Sequence, residues 1–224
     1  LPLFRQALDA RRQAAAAEPG DPNLQFDLSR SIKAVGEAAF LLGNRGEGYR
    51  LFEESLSIQN ALVASHPGVP PLAASLAISE GDYGDLFLRD GSLDLARPRY
   101  DEAVEILEGL VAEDQENAEM AQSLALAWYR RGQLARREGD APHAAECFRK
   151  ALAIRERLAT ADPSNVSLGI ETMLALAQCG ERARAVAIAD GLPTEHDDRE
   201  ILLAIARCAA ICATSSEGEE RQRH

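Results

Sequence analysis

Residues 118–163 read AEMAQSLALAWYRRGQLARREGDAPHAAECFRKALAIRERLATADP, and the periodicity of that stretch decides the fold. Met120, Leu124, Trp128 and Ala135 fall four or seven apart, the stripe of an amphipathic helix. Asn117 stands where an N-cap belongs. Gly139-Asp140 interrupts the pattern, Asp140 can cap a second helix, and Pro142 sits near its first turn, where a missing N–H is harmless. The second helix carries Ala145, Phe148, Leu152 and Leu158 on one face. Asp162-Pro163 closes it, because the residue before proline is pushed out of the helical region. The stretch is a helical hairpin.

The hairpin recurs. A shift of 48 residues brings Gly36 onto Gly84 and Gly132, and Gly43 onto Gly91 and Gly139. The same shift aligns Phe52 with Tyr100 and Phe148, and Leu62 with Leu110 and Leu158. Self-similarity at a fixed period marks a repeat architecture, in which neither helix buries its stripe until a neighbour stacks on it. A glycine inside a helix costs about 1 kcal/mol against alanine. Gly36, Gly84 and Gly132 therefore predict close helix contacts, with Phe52, Tyr100 and Phe148 filling the wedge between units. Projected backwards, the period places Phe4 under Phe52, so the sequence opens partway through a unit.

Trp128-Tyr129-Arg130-Arg131-Gly132-Gln133-Leu134-Ala135, followed by Ala144, Phe148 and Pro163, resembles the tetratricopeptide signature W-x2-L-G-x2-Y…A-x3-F…P. Arg131 stands where leucine is usual and Ala135 where tyrosine is usual. The family repeats every 34 residues. The longer period here adds about two turns to each helix. Units of this length, with wording such as Ala151 to Leu158 before Asp162-Pro163, look like the repeats that follow the kinase domain in some bacterial serine/threonine kinases. The resemblance implies an all-α fold, a right-handed superhelical stack of antiparallel helical hairpins.

The segments follow from these signals. A single array over 1–213 divides into a truncated repeat's second helix at 1–19, repeats at 24–66, 70–114 and 117–163, a shortened repeat at 164–190 and a capping helix at 194–213. Thr194 and Asp197 form a capping-box pattern ahead of that last helix. Residues 214–224 lack an apolar face and are expected to be disordered.

A formal net charge of −12 and a pI near 4.8 oppose binding to nucleic acid or to an anionic membrane surface. No apolar run reaches the roughly 20 residues of a membrane-spanning helix. Cys147, Cys179, Cys208 and Cys212 lack the spacing of a secreted disulfide framework and read as reduced core residues of a cytoplasmic protein. His143 with Cys147, and Cys208 with Cys212, lie four apart, but structural zinc wants four convergent ligands. Gly43 to Gly48 fits no phosphate-loop pattern and reads as an interhelical turn. Glu53-Glu54 and Asp101-Glu102 are adjacent on helices and point apart, so no acid/base pair forms. The sequence predicts no catalytic residue, no cofactor and no metal.

Function then falls to the concave surface, lined in the family by the first helix of each hairpin. Transferring that rule selects Arg30, Lys33, Glu37, Asp85, Arg89, Tyr129, Gln133 and Arg136, with Gly81 opening a hollow. Glu37 and Asp85 would form an acidic rung for a basic side chain of an extended peptide or partner helix. The expected partner is a protein or peptide, within a larger bacterial signalling protein such as a kinase. A structural spacer or self-associating array, with a homodimer as its product, is the alternative.

Overall fold

The computed structural model describes residues 2–192 and 199–222, with all side chains in those ranges except residue 200 and residues 214–222. The described residues form ten helices and no strand. They divide into two compact units, Leu1–Asp114 and Gln115–His224. Stacked hairpins touch only their neighbours, so such a chain need not share one core.

The first unit holds α1 (Pro2–Ala17), α2 (Pro22–Leu41), α3 (Arg45–Ser65), α4 (Pro70–Asp90) and α5 (Leu93–Glu113). The second holds α6 (Ala118–Glu138), α7 (Ala141–Ala161), α8 (Val166–Gln178), α9 (Arg182–Gly191) and α10 (Arg199–Gln222). Asp21 Oδ1 accepts from the Asn23 amide at 2.8 Å, and Asn117, Asp140 and Asn165 cap α6, α7 and α8 in the same way. Gly91 and Gly139 end α4 and α6 in the left-handed region, at φ 80° and 82°, a conformation that side chains disfavour. The turn expected at Gly43 to Gly48 is shorter than that, because α3 begins at Arg45 and takes in Gly46 and Gly48.

The recurring glycines sit where two helices of a hairpin meet. A methyl group at Gly84 would lie 2.6 Å from Tyr100 Cε1, and one at Gly132 2.7 Å from Phe148 Cε1. At Gly36 the obstacles are Leu51 Cβ at 3.0 Å and the Gly48 carbonyl at 3.2 Å, so α2 and α3 approach backbone to backbone. The aromatic thus presses first on its own hairpin's glycine. Phe52 also stacks on Tyr83 of the next hairpin, with ring centroids 5.3 Å apart.

Three positions at the α3–α4 connection and along α5 break local rules. Val69 occupies the N-cap of α4 without a side-chain hydrogen bond, where Asp21, Asn117 and Asn165 stand at the same place in other repeats; an apolar cap costs ~1 kcal/mol. Pro98 lies inside α5, beyond the first turn, and denies the Asp94 carbonyl its helical donor, at about 3 kcal/mol for a helix interior. Gly109 also lies inside α5, yet a methyl group there would touch nothing within 4 Å. Its cost of about 1 kcal/mol against alanine has no packing reason.

In the second unit α10 supplies the last apolar face. Ile201, Ala204, Cys208 and Cys212 are buried in one cluster with Met173, Leu176 and Leu192. The helix runs on to Gln222, into the segment expected to be disordered. A helix already nucleated by burial propagates through good helix formers such as Glu219, Glu220 and Arg221 without an apolar face of their own. Thr194 and Asp197, the expected capping box, lie outside the described residues.

Candidate functional site: the polar face of the first helices

In the first unit Lys33 on α2 reaches across to Asp82 on α4, Nζ to Oδ2 at 2.8 Å. Glu37, one turn further, is exposed and makes no ion pair among the described residues. Asp85 accepts the Tyr100 hydroxyl at 2.7 Å, so the two carboxylates of the expected rung differ: Asp85 is engaged from below and Glu37 is open. Arg30 and Arg89 are exposed, with the Arg30 guanidinium 5.8 Å from the Phe26 ring centroid. Gly81 is buried in α4 and forms part of its packed side.

Beneath this face lies a cluster of Phe40, Tyr49, Phe52, Tyr83 and Phe87. Tyr49 stacks on Phe87 at 4.9 Å with 17° between the planes. Its hydroxyl donates to Asp90 at 2.9 Å, a carboxylate that Arg45 also grips. Burial, followed by the bond to Asp90, pushes Tyr49 up to about 12. Burial likewise raises Tyr83, which donates to Glu53 at 3.2 Å. Both phenols stay protonated at neutral pH and serve as fixed donors that tie helices together.

Glu80 on α4 is 1% exposed and is held by Arg99 of α5 at 3.1 Å. Burial raises its carboxyl and outweighs the opposing pull of Arg99. The Arg99 guanidinium also lies 5.1 Å from the Tyr83 ring.

In the second unit Tyr129, Gln133 and Arg136 form a ladder along α6. Gln133 Nε2 donates to the Tyr129 hydroxyl at 2.6 Å, and Arg136 donates to Gln133 Oε1 and, at 2.8 Å, to Gln178 at the end of α8. Arg155 of α7, 5% exposed, lies with its guanidinium 5.3 Å from the Tyr129 ring and its Nε 3.5 Å from Glu171. Burial lowers the pKa of Arg155, with Glu171 opposing. The three expected residues of α6 are therefore brought together and bonded to one another.

Among the described residues no three His, Cys, Asp or Glu side chains are placed to hold a metal, and no helix is long and apolar enough to cross a membrane. His143 and Cys147 approach only to 3.7 Å, along one helix. Burial pushes Cys179 and Cys208 up to about 11, so both stay as thiols and lack the character of activated nucleophiles.

Two clefts in the first unit gave no signal to a reading of helix faces. The larger, about 840 Å³, lies between the α3–α4 connection and α5 and is lined by Pro67, Val69 and Pro98 with Glu105, Gly109 and Glu113. The smaller, about 520 Å³, is its counterpart one repeat earlier, with Ser57, Ala61 and Ser65 at the positions of Glu105, Gly109 and Glu113.

Residues 125–158, the second half of α6 and most of α7, match the tetratricopeptide repeat family model. Among solved structures the chain is similar to BtubC (BKLC) from P. vanneervenii, with 15% identity and a TM-score of 0.66 over 99% of this chain and 85% of that one. It is also similar to TTC0263, a thermophilic TPR protein in Thermus thermophilus, with 20% identity and a TM-score of 0.51 over 80% of each chain. The fold is that of tetratricopeptide-type helical repeats. No curated protein matches the sequence. In tetratricopeptide terms α2, α4, α6 and α8 are first helices of their hairpins, and all eight expected contact residues lie on them: Arg30, Lys33 and Glu37 on α2, Asp85 and Arg89 on α4, and Tyr129, Gln133 and Arg136 on α6.

Proposed function

We propose that the chain is a non-catalytic protein-interaction module whose first helices receive a peptide or partner helix, as the regulatory or scaffolding part of a larger bacterial signalling protein such as a serine/threonine kinase. Tetratricopeptide-type repeats generally mediate protein interactions, and the wording of the repeats supports the kinase setting. The observation that carries the binding reading is the contrast on α2. Lys33 is neutralised by Asp82, whereas Glu37, one turn away, is exposed and uncommitted beside a rigid aromatic base. An unpaired carboxylate on a preorganised surface attracts a basic side chain without first giving up an internal bond.

A photo-crosslinking residue at position 37 tests this in cells that make the protein, with the exposed Thr160 of α7 as the control position. One defined adduct at 37 and none at 160 is the expected result, and Glu37→Lys should lower partner recovery at least tenfold with the melting temperature unchanged. Equal adducts at both positions, or full recovery by Glu37→Lys, would remove this face from consideration. Light scattering of the same samples addresses self-association: a dimer dissolved by Glu37→Lys would assign the face to a second copy instead.

A further inference from the structure

We infer that the 840 Å³ cleft between the α3–α4 connection and α5 is a second docking site, one that takes a partner's peptide segment carrying an apolar side chain flanked by lysine or arginine. It shares no residue with the face of the first helices described above. Three observations converge on it.

Three departures from the local rules of helix building line this one cleft. Val69 replaces a capping side chain, Pro98 removes a helical donor, and Gly109 leaves a helix interior bare where nothing obstructs a side chain. The repeat shows that the fold does not require them. Asp21, Asn117 and Asn165 stand at the position of Val69, Arg50 and Glu146 at that of Pro98, and Ala61 and Arg157 at that of Gly109. Local rules broken together, at one place and without a structural return, mark a surface kept for binding. Two of them also shape the cleft: Val69, 43% exposed, gives an apolar lip, and Gly109 lowers the wall formed by α5.

The counterpart cleft serves as an internal control. It has the same walls one repeat earlier but about 520 Å³ of space, and carries Ser57, Ala61 and Ser65 where the larger cleft has Glu105, Gly109 and Glu113. One repeat later the same positions hold Ala153, Arg157 and Ala161. Relative to that counterpart cleft, space and negative charge are gained together.

Charge selects the occupant. Glu105 and Glu113 lie two turns apart on α5, exposed, with no ion pair among the described residues, and Glu102 adds a third carboxylate on the same wall. The facing lip of Pro67, Val69 and Pro70 is apolar and stiffened by two prolines. Carboxylates on one side and a preformed apolar lip on the other fit an apolar side chain between basic neighbours, and disfavour a second copy of a chain with net charge −12.

The test converts the cleft into its own counterpart. The 224-residue chain is compared with the triple variant Glu105→Ser, Gly109→Ala, Glu113→Ser, and with Gly109→Leu, whose side chain fills the space. The probes are two fluorescein-labelled decapeptide pools with a central Leu or Pro, one flanked by lysine and one by glutamate, read by anisotropy at low and at raised salt. The lysine pool should bind the parent, weaken at the higher salt, and lose at least tenfold in affinity to both variants, while both variants melt no lower than the parent. Equal binding of the glutamate pool, no binding of the lysine pool, or undiminished binding by Gly109→Leu overturns the proposal. So does a parent that self-associates through this cleft, seen as a dimer in sedimentation that Gly109→Leu dissolves. If Gly109→Leu melts lower, the triple variant, which takes only residues the neighbouring repeat already uses, decides.

Discussion

Two glycines inside helices of the first unit predict opposite outcomes for one and the same change. A methyl group at Gly84 meets the Tyr100 ring at 2.6 Å, and that ring is itself pinned by its bond to Asp85, so Gly84→Ala should destabilise the protein by about 1–3 kcal/mol. A methyl group at Gly109 meets nothing, so Gly109→Ala should stabilise by about 0.5–1 kcal/mol. Thermal melts of the two variants check both signs: a loss at Gly109→Ala, or no loss at Gly84→Ala, would mean that the contact environment of that glycine is not as described. Gly84 was legible in the sequence because its constraint is repeated, and repetition shows as identity at a fixed interval. Lys33 with Asp82 was not, because a salt bridge between neighbouring helices depends on the rotation of both and leaves no periodic trace. Gly109 was invisible for a related reason: its meaning lies in what its environment lacks.

Between elements, the pairing of α4 with α5 makes stability depend on pH through Glu80. Its carboxyl is raised above the ordinary value of 4.5 by burial, so the folded chain holds this proton more tightly than the unfolded chain does. The contribution of Glu80 is therefore fully present below the unfolded pKa and is lost as pH rises through the raised folded one. Glu80→Gln removes that loss. Melted in parallel, the variant should exceed the parent by a few degrees at pH 8, for a gain on the order of 1 kcal/mol, and the difference should vanish near pH 4. A variant less stable than the parent at pH 8 would show that the Arg99 pair contributes more than burial costs. Element bounds were legible wherever a cap or a breaker wrote them, as at Asn117, Asp140 and Asp162. They were lost where the deciding term lay elsewhere. Val69 starts a helix without capping it, and α10 outruns its apolar face because Ile201 to Cys212 have already set its course.

At the scale of the whole molecule, the division after Asp114 carries a prediction of its own. The first unit holds the five-ring cluster and the glycine contacts of two hairpins, and α1 buries Leu8 and Ala15 with Leu28, Ile32 and Val35 of α2. Salt bridges from Arg5 to Glu47 at 2.8 Å and from Arg12 to Glu54 at 2.7 Å tie α1 to α3 as well. The second unit has a separate cluster, built by α8 and closed by α10. Each therefore carries what a helical-repeat segment needs to fold, since stability in such chains is approximately a sum over units and their nearest neighbours. Residues 1–114, expressed alone, should give a helical circular dichroism spectrum and a single cooperative melt. Because both walls of the larger cleft belong to this unit, the fragment should also bind the lysine-flanked pool within about threefold of the full chain, a difference of roughly 0.7 kcal/mol. A fragment without a cooperative melt would make the division one of contacts only and tie the first unit's fold to residues beyond Asp114. A fragment that folds but does not bind the pool, while the full chain does, would place part of the recognition surface in the second unit.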